Sequence, residues 1–124
     1  MNSQELLDLL FDIKVELKKD LSEIVDEVYK KYHDTVNMSF SELEAWSKSE
    51  CSKLASLDRS PINRNLRLLK TKKADWGANE VKAANRTISF VSRMKNMEQG
   101  KPVNKTCPSK RDISLKNWAY NPNK

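Results

Sequence analysis

Glycine is nearly absent from this chain, with two residues among 124. Loops that cradle phosphate on backbone N–H groups need several glycines close together, because only glycine lets the backbone crowd onto an anion, so dinucleotide and P-loop sites are excluded. Histidine occurs once, as His33, and cysteine twice, as Cys51 and Cys107, without a Cys-x-x-Cys pair. Three soft ligands dispersed in this way do not build a tetrahedral zinc site, and no set of nucleophile, acid and base assembles around them. No catalytic residue, metal ligand or cofactor is assigned, and the chain is read as non-enzymatic. Runs of β-branched residues are few, which argues against sheets. No apolar stretch reaches the ~20 residues that cross a bilayer. The opening segment, with Glu5, Asp8 and Asp12, lacks the basic start and apolar centre of a secretory signal. These absences point to a protein without a membrane partner, cytoplasmic or nucleoid-associated, or else held within a virion. In such settings both cysteines are expected as reduced thiols.

Charge is what the chain has in plenty: 32% of its residues, unevenly placed. Residues 1–46 hold eleven acids against five lysines, a net of −6, whereas residues 47–124 hold eighteen lysines and arginines against six acids, a net of +12. A basic body beside an acidic arm has a polyanion as its natural partner, and the arm can limit that attraction. An apolar fraction of 38% over this length supports one small core.

The periodicity predicts an all-α fold, a long N-terminal helix followed by a small helical bundle, divided into an acidic arm (1–37) and a basic domain (38–124). Along the arm Leu6, Leu10, Ile13, Leu17, Leu21, Ile24 and Val28 recur at steps of three and four, an average near the eleven-residue repeat of a straight or slightly right-handed seam. That stripe either packs on its own body or joins copies of the chain into a homo-oligomer. Ser39 with Glu42, or Ser41 with Glu44, has capping-box spacing and opens a helix running through Leu43 and Trp46 toward Leu54. Ser60-Pro61 opens the next, through about Lys72, with Ile62, Leu66 and Leu69 as its inner stripe. A fourth helix begins at Asp75 or Asn79 and buries one side of Val81, Ala84, Ile88 and Val91 and another of Ala83, Phe90, Met94 and Met97. It continues until Gly100 and Pro102 stop it, and a last short helix covers Asp112 to Trp118. Trp46 and Trp76 are read as core anchors.

The basic residues follow these helices. Arg64 and Arg67 lie opposite the inner stripe of helix three, with Arg59 just before it and Lys70, Lys72 and Lys73 at its far end. Lys82, Arg86 and Arg93 fall within about 40° of one another on a helical wheel, which makes one straight ridge. Lys110, Arg111 and Lys116 add charge near the C-terminus. Cations set along two helices can follow a phosphate backbone and release its counterions. The expected partner is nucleic acid, DNA rather than RNA, held by shape and phosphate contacts without base-specific readout. The alternative is a structural protein of a phage or virus particle, assembling through the acidic helix.

Two segments carry a resemblance. Ser39-Phe40-Ser41-Glu42-Leu43-Glu44-Ala45-Trp46 and the closing Lys110-Arg111-Asp112-Ile113-Ser114-Leu115-Lys116-Asn117-Trp118-Ala119-Tyr120-Asn121-Pro122 resemble a small uncharacterised family of bacterial and phage-type proteins. That family pairs a Ser-x-x-Glu-Leu-x-x-Trp opening with a terminal Ser-Leu-x-Asn-Trp-x-x-Asp-Pro signature. Asn121 stands here where the family usually has Asp, and Tyr120 where it often has His. The likeness spans residues 38–122 and leaves the arm outside; some members are labelled DNA-binding, which implies the same partner class. Read physically, Leu115 and Trp118 pack back on the helices, Asn117 bonds local backbone, and Trp118 shares a core with Trp46.

Overall fold

The computed structural model describes residues 21–55 and 58–124. This part is all-α, and among the described residues no strand forms beyond an isolated bridge between Pro102 and Ser109. As described, α1 spans residues 21–35. It is followed by α2 (Phe40–Ser47), α3 (Ser60–Lys70), α4 (Ala78–Met94) and α5 (Lys110–Asn117), with short 3-10 turns at Cys51–Lys53 and Lys73–Asp75. Leu6, Leu10, Ile13 and Leu17 lie outside the described residues.

The helix starts are set by local chemistry. Ser39 Oγ accepts from the Glu42 N–H, and the Glu42 carboxylate accepts from the Ser39 N–H, closing the capping box of α2. Pro61 occupies the first turn of α3, where a missing N–H costs nothing. At α4 Glu80 reaches back to the Gly77 N–H, and at α5 Ser109 Oγ accepts from the Asp112 N–H. Glu42 is also met by Lys124 Nζ at 2.7 Å. The hydrogen bond from Lys124, and then that from the Ser39 N–H, lower its pKa to about 2. The folded value is the depressed one, so the stability Glu42 contributes is complete above the ordinary glutamate pKa and disappears as pH falls through about 2. An NMR carboxyl titration should show Glu42 as the last described glutamate to protonate on acidification, with Lys124→Ala moving its midpoint upward. A wild-type midpoint in the ordinary range of ~4.3 would exclude the contact from solution.

Elsewhere the elements end sooner or turn differently than periodicity predicts. α2 stops at Ser47, well short of Leu54, because serines in the following stretch bond backbone carbonyls: Ser47 Oγ to Glu44 O, Ser49 Oγ to Trp46 O and Ser52 Oγ to Ser49 O. The inner face of α3 is centred on Ile62, Asn65 and Leu68, with Leu66 and Leu69 only partly buried. α4 buries Ala83, Ala84, Thr87, Ile88 and Val91, while Met97 lies past its end, exposed. α5 closes with the Ala119 N–H donating to Lys116 O and the Tyr120 N–H to Leu115 O, the bonding of a Schellman motif. Ala119 fills the left-handed position with φ +66°, at a cost of roughly 1 kcal/mol that a glycine would not incur. Its methyl is buried, and its carbonyl accepts from the N–H groups of Asn37 and Met38.

One core joins these helices. Val25, Tyr32 and Val36, from the arm side of residue 37, pack with Leu43, Ile62, Leu68, Trp76, Ala84 and Ile88. Residues 21–36 therefore lie against the basic body of their own chain, with Tyr29 edge-on to Trp76. Trp76 is the core anchor expected, buried with its indole N–H on Thr71 O. Trp46 and Trp118 do not share a core. Trp46 packs at the edge of the main cluster and donates to Asn117 Oδ1 at 2.7 Å, whereas Trp118 stacks on Phe90.

The cysteines also depart from expectation. Cys51 and Cys107 are joined in a disulfide, with Cα atoms 5.5 Å apart, so neither is a free thiol. The bridge ties the turn after α2 to the loop ahead of α5. A second tie runs beside it, from Asn117 Nδ2 to Ser52 O at 3.1 Å.

Candidate functional site

α3 and α4 pack together, and Arg64 of α3 lies close enough to Arg86 of α4 for their charges to interact. Lys82, Arg86 and Arg93 line one open groove of about 550 Å³ along α4, together with Asn85, Ser89, Phe90 and Trp118. Arg64 and Arg67, with Ser60 and Asn63, line a second hollow on α3. The two adjoin electrostatically. Arg64 has its pKa lowered first by burial and then by the charges of Arg86 and Arg67, with Asp58 acting in the opposite sense. Among the described residues none of these five cations has a salt bridge. Arg93 makes one long hydrogen bond, Nε to Ser89 O at 3.4 Å, which leaves the rest of its guanidinium available.

An aromatic column stands where the two helices meet the end of α5. Trp118 and Phe90 are stacked, 4.3 Å between centroids and 13° between planes, and the Arg64 guanidinium sits 5.5 Å from the Trp118 ring centre. An offset stack of this kind is worth about 0.5–1.5 kcal/mol beyond burial, and the cation adds to it. Both rings are partly exposed.

Other members of the sequence-predicted cationic set are occupied. Arg59 donates to Ser47 O at 2.6 Å and to Ser52 O and Oγ, capping the frayed end of α2. Arg111 pairs with the fully buried Asp112 at 2.8 Å and donates to Met97 O, while Gln99 holds the other carboxylate oxygen. Lys116 lies 4.0 Å from the Trp46 ring centre, and burial lowers its pKa against the pull of Asp112. Lys73 pairs with Asp26 of α1 at 2.9 Å, a direct instance of the arm neutralising the body. Lys70, Lys72 and Lys110 are exposed. In the arm stripe, Leu21 and Ile24 stay 37% and 42% exposed while Val28 packs against the core. His33 is an exposed residue with its ring tilted against Tyr29, 4.4 Å between centroids. Among the described residues no group of three or more His, Cys, Asp or Glu could hold a metal ion, and no helix is long and apolar enough to cross a membrane.

Sequence reasoning assigns Phe90 and Trp118 to packing within the helical body and not to the site, whereas both rings are partly exposed. Phe90 sits four residues after Arg86 and three before Arg93, which places it on the flank of the ridge, a signal the wheel contains. No family model, curated protein or solved structure matches this chain.

Proposed function

We propose that this protein is a non-enzymatic nucleic-acid-binding module that holds phosphates, of DNA rather than RNA, on the α3–α4 face through Arg64, Arg67, Lys82, Arg86 and Arg93. The observation that carries the reading is the convergence of these five cations without a salt bridge among the described residues. Arg64 is a cation held partly out of water next to two others. A polyanion relieves that repulsion, and each phosphate neutralised releases a counterion. Arg59, Arg111 and Lys116 belong to the scaffold, and Lys73 to the contact with the arm.

The reading is tested by reversing two charges of the ridge. Arg86→Glu with Arg93→Glu should weaken DNA of any sequence alike, on the order of 50-fold near 0.1 M salt. The slope of log affinity against log salt should become shallower by about 2, close to 0.9 for each phosphate that is no longer neutralised. An unchanged slope would refute the grip. A second reading, assembly through the arm within a particle, is favoured by the exposure of Leu21 and Ile24 on α1. Solution mass separates the two: a monomer that gains mass only with DNA supports the binder, and a stable oligomer indifferent to DNA supports assembly.

A further inference from the structure

We infer that the α4 groove seats an unpaired nucleobase against Phe90 and Trp118, so that the preferred ligand is a single strand or a locally opened duplex. This rests on the phosphate-gripping reading above and narrows it to a kind of nucleic acid. A closed duplex offers a protein phosphates and groove edges, and a row of cations is sufficient for it. The groove holds more than that. Lys82, Arg86 and Arg93 share it with a partly exposed aromatic pair. Cations tracking a backbone beside an aromatic surface are what a flexible strand uses, because every base has a π-face and stacks without regard to sequence.

The dimensions agree. The groove, at about 550 Å³, falls in the range of roughly 300–1,000 Å³ that small organic ligands occupy. Lys82, Arg86 and Arg93 are spread over eleven residues of one helix, roughly 16 Å along its axis, which sets three cations along the path of a strand longer than one nucleotide. Arg64 lies against Trp118 and fixes the ring beside the groove. Asn85 and Ser89 line the same groove and have no side-chain hydrogen bond among the described residues. An amide and a hydroxyl supply donors and acceptors to whichever base edge turns toward them.

The test compares three ligands of equal length at one salt concentration: a thymidine oligonucleotide, an abasic strand with the same phosphates, and a duplex. The intact protein should bind the thymidine strand about tenfold more tightly than the abasic strand, the effect of stacking one base, and more tightly than the duplex. Trp118→Leu should bring thymidine and abasic strands to within about twofold of each other, while Trp118→Phe keeps most of the difference. The thymidine-to-abasic ratio is measured on the unaltered chain, so a folding defect in a variant leaves it intact. Equal affinity for thymidine and abasic strands, or tighter binding of the duplex, overturns the base seat and leaves the phosphate grip standing. Failure to bind any of the three overturns both.

Discussion

Opening the Cys51–Cys107 bridge should lower the stability of the fold by about 4 kcal/mol. The two cysteines are 56 residues apart, and the loop-closure entropy a bridge of that span removes from the unfolded chain gives this figure in the chain-entropy model. Urea denaturation with and without reductant, or of the Cys51→Ser, Cys107→Ser chain, measures it as a shift in midpoint. The local effect should concentrate in residues 101–109. That loop is held otherwise by the Val103 N–H on Pro108 O, the Asn104 carboxamide oxygen on the N–H groups of Thr106 and Cys107, and the Pro102–Ser109 bridge. α5 itself should stay docked, because Asn117 still joins Trp46 and Ser52. Hydrogen exchange should therefore quicken in the loop well before the helix. A reduced chain within about 1 kcal/mol of the oxidised one would show that the bridge is incidental to the fold.

What is legible in the sequence is what depends on near neighbours in the chain. The capping box at Ser39 and Glu42, the proline in the first turn of α3 and the Lys82–Arg86–Arg93 ridge are all set within a few turns of helix, so spacing alone reveals them. The disulfide escapes such a reading because two cysteines far apart carry no local mark of pairing. Their meeting depends on how α2 and α5 pack. Asn65 escapes it for the same reason. Hydropathy puts an asparagine on the outside, and its core partners, Tyr32 and Thr87, lie 33 and 22 residues away.

The cationic set divides along the same line. Composition counts charges without saying what they touch. Arg59 meets the carbonyls at the end of α2, and Arg111 meets Asp112, through turns whose course no wheel describes. Lys73 meets Asp26 only because α1 folds back on the body. The cations left without salt bridges on α3 and α4 are those whose position follows from helix geometry alone. Trp118 is the counterexample: its place beside Phe90 depends on α5 ending in the left-handed Ala119 at a particular angle to α4, and no pattern within the chain announces that.

Asn65 joins three of these helices in the core, and Asn65→Ala should cost about 3–5 kcal/mol. Its side chain is fully buried, with Oδ1 accepting from Tyr32 Oη and Thr87 Oγ1, both at 2.8 Å, and Nδ2 donating to Pro61 O at 2.9 Å. It thereby pins α1, α3 and α4 at one point beneath the cationic face. Truncation leaves two hydroxyls in the core without their acceptor, each costing about 1–3 kcal/mol, and opens a small cavity besides. Thr87 can recover by bonding a carbonyl one turn back on its own helix. Tyr32 has no such recourse, and because burial raises its pKa it remains a protonated donor at any working pH. The polar groups should therefore matter as a set. Tyr32→Phe and Thr87→Val should each cost only about 1–2 kcal/mol, since the other hydroxyl still satisfies Asn65. Asn65→Leu combined with both should be more stable than Asn65→Leu alone, because no stranded hydroxyl remains. Denaturation midpoints of the single and triple variants decide it, and a triple variant weaker than Asn65→Leu would mean that the three side chains contribute independently. Since α3 and α4 carry the two halves of the cationic face, a folded variant of Asn65 should also bind DNA more weakly although the substitution touches no cation.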